Sequence, residues 1–126
     1  EPEEQALLDR LNVKIYYIDE VLQRGLQPIL QESLDTLDRR VDGIGITIDI
    51  DAVDPLDAPA VSTPEKNGIS ANDLITSLPL VCSHPKWIGT ELTEFLPYKD
   101  QNKKTESLVL ALIKILLTVE SNSTIK

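Results

Sequence analysis

Asp49 and Asp51 are the residues in this chain whose type and spacing point most directly to chemistry. They end the run Ile44-Gly45-Ile46-Thr47-Ile48-Asp49-Ile50, whose strict alternation predicts a strand over 44–50. Residues two apart on a strand share a side, so the two carboxylates should project together, above Gly45 and Thr47. Paired carboxylates on one edge repel unless a cation lies between them. The opposite parity (Ile44, Ile46, Ile48, Ile50) is fully apolar. Such a strand suits a metal ion or a cationic substrate. The plainer reading is a solvated strand end followed by an Asx turn at Asp54-Pro55.

Other candidates are weaker. Glu91 and Glu94 stand near the end of a strand expected over 87–95, and Asp19 and Glu20 close one expected over 13–18. Asp49, Asp51 and Asp54 imitate the start of a calcium loop, but no Gly occupies its sixth position and no Glu its twelfth. A calcium or magnesium module is therefore the weakest reading. His84, the sole histidine, precedes the strand from Trp87 and belongs at the amino edge, the wrong end to join Asp49. Cys82 closes an apolar run and reads as a small core residue.

The elements that must position these residues follow from periodicity. Residues 2–10 predict a short helix opened by Pro2 and acids. Val13–Ile18, β-branched and aromatic, predicts a strand. Apolar spacings of three and four predict a helix over 20–38, with Gly25 and Pro28 weakening its start. After a Pro-rich loop, Ser70 should cap a helix to about Leu78, and Thr105 should cap one over 106–119. The order is α-β-α-β-α-β-α, an α/β fold of three layers (α-β-α) around a parallel sheet of three strands. In such sheets, sites form at the carboxyl ends of the strands. The last helix is apolar nearly all round, more than one sheet face can bury, so it should also pack outside these residues.

Composition narrows the classes. The 126 residues carry a net charge of −9, and the excess lies in residues 1–60, with 14 acids and 5 bases. That acidity disfavours nucleic acid and anionic membranes as partners. No apolar run approaches the roughly 20 residues of a membrane span. One cysteine excludes an internal disulfide, and the chain reads as cytoplasmic. With no Met at all and Glu1 first, it reads as a processed product or a piece of a longer polypeptide.

The stretch Thr47-Ile-Asp49-Ile-Asp51-Ala-Val-Asp54-Pro55-Leu-Asp-Ala-Pro59-Ala60, followed after seven residues by Gly68, resembles the third signature of the ureohydrolases, the superfamily of arginase, agmatinase and formimidoylglutamase. Gly89-Thr-Glu91-Leu-Thr-Glu94-Phe-Leu-Pro97 is similar to that family's next strand, and the helix entered through Asp100 and Thr105 resembles its last helix. The resemblance covers nearly the whole chain but only the carboxyl-terminal half of the family's fold. It implies a single domain over 1–126 with a partial arginase-like fold, the end of a larger domain.

By that resemblance, Asp49 bridges two Mn²⁺ ions and Asp51 binds one, while Glu94 faces the substrate guanidinium and Thr63 lies near the substrate. The metals would lower the pKa of a bridging water, and the hydroxide would attack the amidino carbon, releasing urea or formamide. Ala60, Ser62 and Asn67 depart from the family's usual glycines, Phe95-Leu96 from its usual residues, and Val61-Ser62 is closer to formimidoylglutamase-type loops. The family's Gly-Gly-Asp-His and Asp-Ala-His-x-Asp segments do not occur here. The expectation is a chain inactive alone, with weak or absent Mn²⁺, that associates with a missing amino-terminal half or with itself. The rival is a non-catalytic α/β association module.

Overall fold

A computed structural model describes the backbone of residues 2–123 and the side chains of residues 3–118. Five helices and two strands follow in the order α1 (Pro2–Arg10), α2 (Ile18–Arg24), α3 (Leu26–Asp38), β1 (Ile44–Asp49), α4 (Ala71–Cys82), β2 (Trp87–Thr93) and α5 (Lys104–Ser123). Single 3₁₀ turns follow each strand, at Ile50–Ala52 and Pro97–Lys99. Among the described residues, no helix is long and apolar enough to cross a membrane.

The sheet is parallel, as the alternation of strands and helices requires. β1 runs beside β2 with Gly45 opposite Gly89 and Asp49 opposite Thr93, so both carboxyl ends lie at one edge. Ile44 and Ile48 are buried while Gly45, Thr47 and Asp49 are exposed, the expected alternation. The apolar side packs on the helices. Ile48 and Ile50 join Leu74 and Leu78 of α4 and Leu108 and Leu112 of α5 in the main core. Leu34 of α3, Ile44 and Val81 form a smaller cluster at the amino end of β1. The α/β class and the parallel sheet are as expected and the fold is partial: α3, α4 and α5 all gather on the Ile44–Ile48 side.

The sheet has two strands rather than three. Val13–Ile18 is not a strand: residues 13–17 carry no regular structure and Ile18 opens α2. Its side chains have strand propensity, but a strand exists only by ladder bonds to a neighbour, and none runs beside it among the described residues. The helix expected over 20–38 is two helices, because Gly25 turns the backbone to φ +86°, outside helical geometry. Ser70 caps α4 through a 3.0 Å bond from Asp73 N–H, yet α4 runs on through Pro79 to Cys82. Thr105 does not cap α5. Asp100 does, accepting from the Thr105 and Glu106 amides at 3.3 and 2.7 Å.

A carboxylate edge at the ends of the two strands

Asp49 is the last residue of β1, exposed, and its carboxylate accepts the Thr93 hydroxyl from the end of β2. Glu94 follows directly and is exposed at φ +64°, a left-handed conformation that costs a non-glycine residue free energy. Val61 bridges antiparallel to Phe95, and the Leu96 amide donates to Ala60 O at 2.9 Å. These contacts dock the loop carrying Thr63, exposed two residues beyond Val61, beside the end of β2. Asp49, Asp51, Thr63 and Glu94 thus all belong to segments at the carboxyl edge of the sheet. His84 lies at the other end: its Nδ1 accepts from the Lys86 amide at 3.2 Å, and its Nε2 stands 3.7 Å from Asp38.

One geometric expectation changes. The strand ends at Asp49, and Asp51 sits in the 3₁₀ turn Ile50–Ala52, so the two-residue period does not extend to it. The two aspartates also border different hollows. Asp49 lines the gap beneath β1, and Asp51 lines a second one with Tyr16, Glu65 and Asn67. Glu91 is exposed within β2 rather than at its end, opposite Thr47.

The loop from 50 to 69 is organised by Asp54, whose Oδ1 accepts from the Leu56 amide at 2.8 Å in the expected Asx turn. Its Oδ2 accepts from the Asn67 amide, also at 2.8 Å, closing the loop over 13 residues. Asn67 adopts φ +62°, which asparagine tolerates better than most residues. Beside it, a Cβ on Gly68 would stand 2.6 Å from Ala52 O and 2.7 Å from Asp54 N. Gly68 is required by that close approach and not by an unusual φ. Val53 and Ile69 pair across the same contact.

Behind the edge lies a support that spacing did not reveal. The Thr105 hydroxyl, fully buried, accepts from the Ala60 amide at 3.0 Å, and Lys99 Nζ donates to Val61 O at 3.0 Å. The start of α5 therefore anchors the loop that carries Thr63. A Thr following an Asp-x-x-x-x spacing reads as a cap in the sequence, and the partner 45 residues away leaves no local signal. Cys82 is buried, and burial pushes its thiol above the usual range, so it is a core residue.

The donors at the edge fit manganese in kind, since carboxylate oxygens suit Mn²⁺. They fall short in number. No group of three His, Cys, Asp or Glu able to hold a metal ion occurs among the described residues, and Asp49 already shares one oxygen with Thr93.

Known proteins supply the wider frame. A family model described as the arginase family matches residues 1–118. The curated arginase of Bacillus caldovelox is 29% identical over 110 residues, which is 87% of this chain and 37% of that protein. Its native structure at pH 5.6 superposes with a TM-score of 0.85 at 28% identity, over 92% of this chain and 39% of the other. The formimidoylglutamase of Bacillus subtilis superposes with a TM-score of 0.87 at 24% identity, over 92% of this chain and 36% of the other, a likeness of fold. The chain spans about two fifths of the length of these relatives.

Proposed function

Because the chain belongs to the arginase family, we propose that it is the carboxyl-terminal part of a manganese-dependent ureohydrolase that hydrolyses a guanidino or amidino C–N bond. The observation that carries the reading is the shared edge: Asp49 ends β1, Glu94 follows β2, and the Val61–Phe95 bridge docks the Thr63 loop beside them. Asp49 and Asp51 would hold the metal. Two bound ions would supply a hydroxide at neutral pH. Glu94, exposed and negative, would pair with the planar cation of the substrate, and Thr63 would line its path.

The remaining donors would come from histidine-containing segments outside this chain, so residues 1–126 form one α/β unit that is inactive alone. Its partners in this reading are a guanidino or amidino substrate and an amino-terminal half, or a second copy. The lone buried Cys82 accords with a cytoplasmic setting. Titration calorimetry of the chain with Mn²⁺ should show weak binding. Two sites of micromolar Kd or better would overturn the missing-donor claim. Assays of arginine, agmatine and formimidoylglutamate should give no urea or formamide with the chain alone.

The second reading, a non-catalytic association module, is favoured by α5. Leu108 and Leu112 are buried, while Leu110 and Leu117 are 57% and 60% exposed and Ile113 38%. Burying each such side chain is worth about 1.5–3 kcal/mol. Sedimentation showing a clean monomer at about 100 μM would defeat it, since even three such residues would otherwise drive association at that concentration.

A further inference from the structure

We propose that the gap between α3, α4 and β1 is a binding site for one small apolar molecule of about the size of a six-carbon ring. The gap follows from how α3 is held. Near the amino end of β1, Leu34 closes on Ile44 and Val81. Nearer its own start, α3 is tied to α4 instead, through Gln27 Nε2 donating to Thr76 O at 3.0 Å. There Leu26 and Leu30 face Ile46 and Ile48 of β1, with Leu74 and Leu78 of α4 as the third wall. The space between them is about 160 Å³. Leu26, Leu30 and Ile46 are only partly buried, although they lie on core-facing sides, so solvent reaches the gap.

The walls decide the ligand class. They are almost entirely aliphatic, and Asp49, at the end of β1, is their sole titratable residue. A water needs two to four polar partners and finds few against such walls. An engineered closed cavity of about 150 Å³ lined by Leu, Ile and Phe accepts benzene or xenon, and this gap matches it in size and aliphatic lining while staying open on one side. An apolar ring removes from water its own surface and the parts of Leu26, Leu30 and Ile46 that remain exposed, while Ile48, Leu74 and Leu78, already buried, supply contacts. A charged or strongly hydrogen-bonding ligand would leave its polar groups unpaired there.

The test is a titration of the chain with benzene, read by methyl NMR. Saturable shifts should appear at Leu26, Leu30, Ile46, Ile48, Leu74 and Leu78, with half-saturation on the order of 1 mM for a six-atom ligand. Leu110 and Ile113, on the outer side of α5, should not move. Leu74→Phe and, separately, Leu30→Phe fill the gap from opposite walls. Each should raise the half-saturation concentration at least about tenfold if folded, since an occupied cavity forfeits the ligand's contacts. Absence of saturable shifts in the unaltered chain up to the solubility of benzene would overturn the proposal. So would shifts that persist unchanged in a folded filled variant. Neither outcome depends on metal or on ureohydrolase activity, so the site stands or falls apart from the functional reading.

Discussion

Two stretches of this chain have strand-type sequences, and they meet different fates. Ile44–Asp49 becomes β1, and Val13–Tyr17 remains without regular structure. Both are rich in β-branched or aromatic residues. The difference is a neighbour. β1 has Trp87–Thr93 alongside for its whole length and a helical layer beneath its isoleucines. Around 13–18, Val13, Tyr17 and Ile18 are left 46%, 63% and 40% exposed. The contacts there join exposed or half-buried side chains to one another, such as Tyr16 to Glu32 at 2.8 Å and Arg24 to Glu20 at 2.6 Å. Around the carboxyl edge, the Asp49–Thr93 pair aside, contacts end instead on backbone groups: Asp54, Thr105, Lys99 and Asp100 each satisfy an amide or carbonyl. Side chains that satisfy backbone groups fix the path of the chain, whereas pairs in water contribute little to it.

The contrast is open to mutation, beginning where the largest effect is expected. Gly68→Val would drive a side chain into Ala52 O and Asp54 N and should cost about 3 kcal/mol or more in urea unfolding. Val13→Thr, in the other stretch, should stay within about 0.5 kcal/mol. Equal costs would erase the distinction between the regions. Leu112→Ala removes a fully buried side chain from the main core and should lower stability by about 3 kcal/mol.

Thr105→Val keeps the shape but strands the Ala60 amide, an expected loss of about 2 kcal/mol. Hydrogen exchange at Ala60 should accelerate more than stability alone accounts for. Asp100→Ala removes the acceptor for two amides at the start of α5 and should cost about 1 kcal/mol. Exchange confined to residues 104–107 would mark it as a capping effect.

The smallest effect belongs to the exposed cluster. Hydrogen bonds from Arg24 and then Tyr16 hold the Glu32 carboxyl below the usual range. Burial, followed by the bond to Glu32, raises Tyr16. A depressed carboxylate stabilises the fold above its unfolded pKa, and that contribution is lost as pH falls through the folded value. NMR should show Glu32 titrating below an ordinary glutamate, with Arg24→Gln returning it upward. Because the group is exposed, overall stability should barely register the change. A large pH-dependent loss traced to Glu32 would promote this region to the standing of the carboxylate edge.

Much of the fold was legible in the sequence because it depends on neighbours close along the chain. The isoleucine alternation of β1, the Ser70 cap and the Asx turn at Asp54 are of this kind, resting on backbone geometry within four residues. The spacing of Asp49, Gly68, Glu94 and their flanking residues was likewise open to comparison with known signatures. Tertiary structure alone decided whether Val13–Ile18 had a partner and what Thr105 bonded. It also decided that Gly68 must lie against residues 52–54. Those outcomes depend on backbone groups brought together from 13 to 45 residues apart. A hydrogen bond across such a distance is specified by where whole elements pack, and packing is a property of the assembled chain rather than of any segment within it.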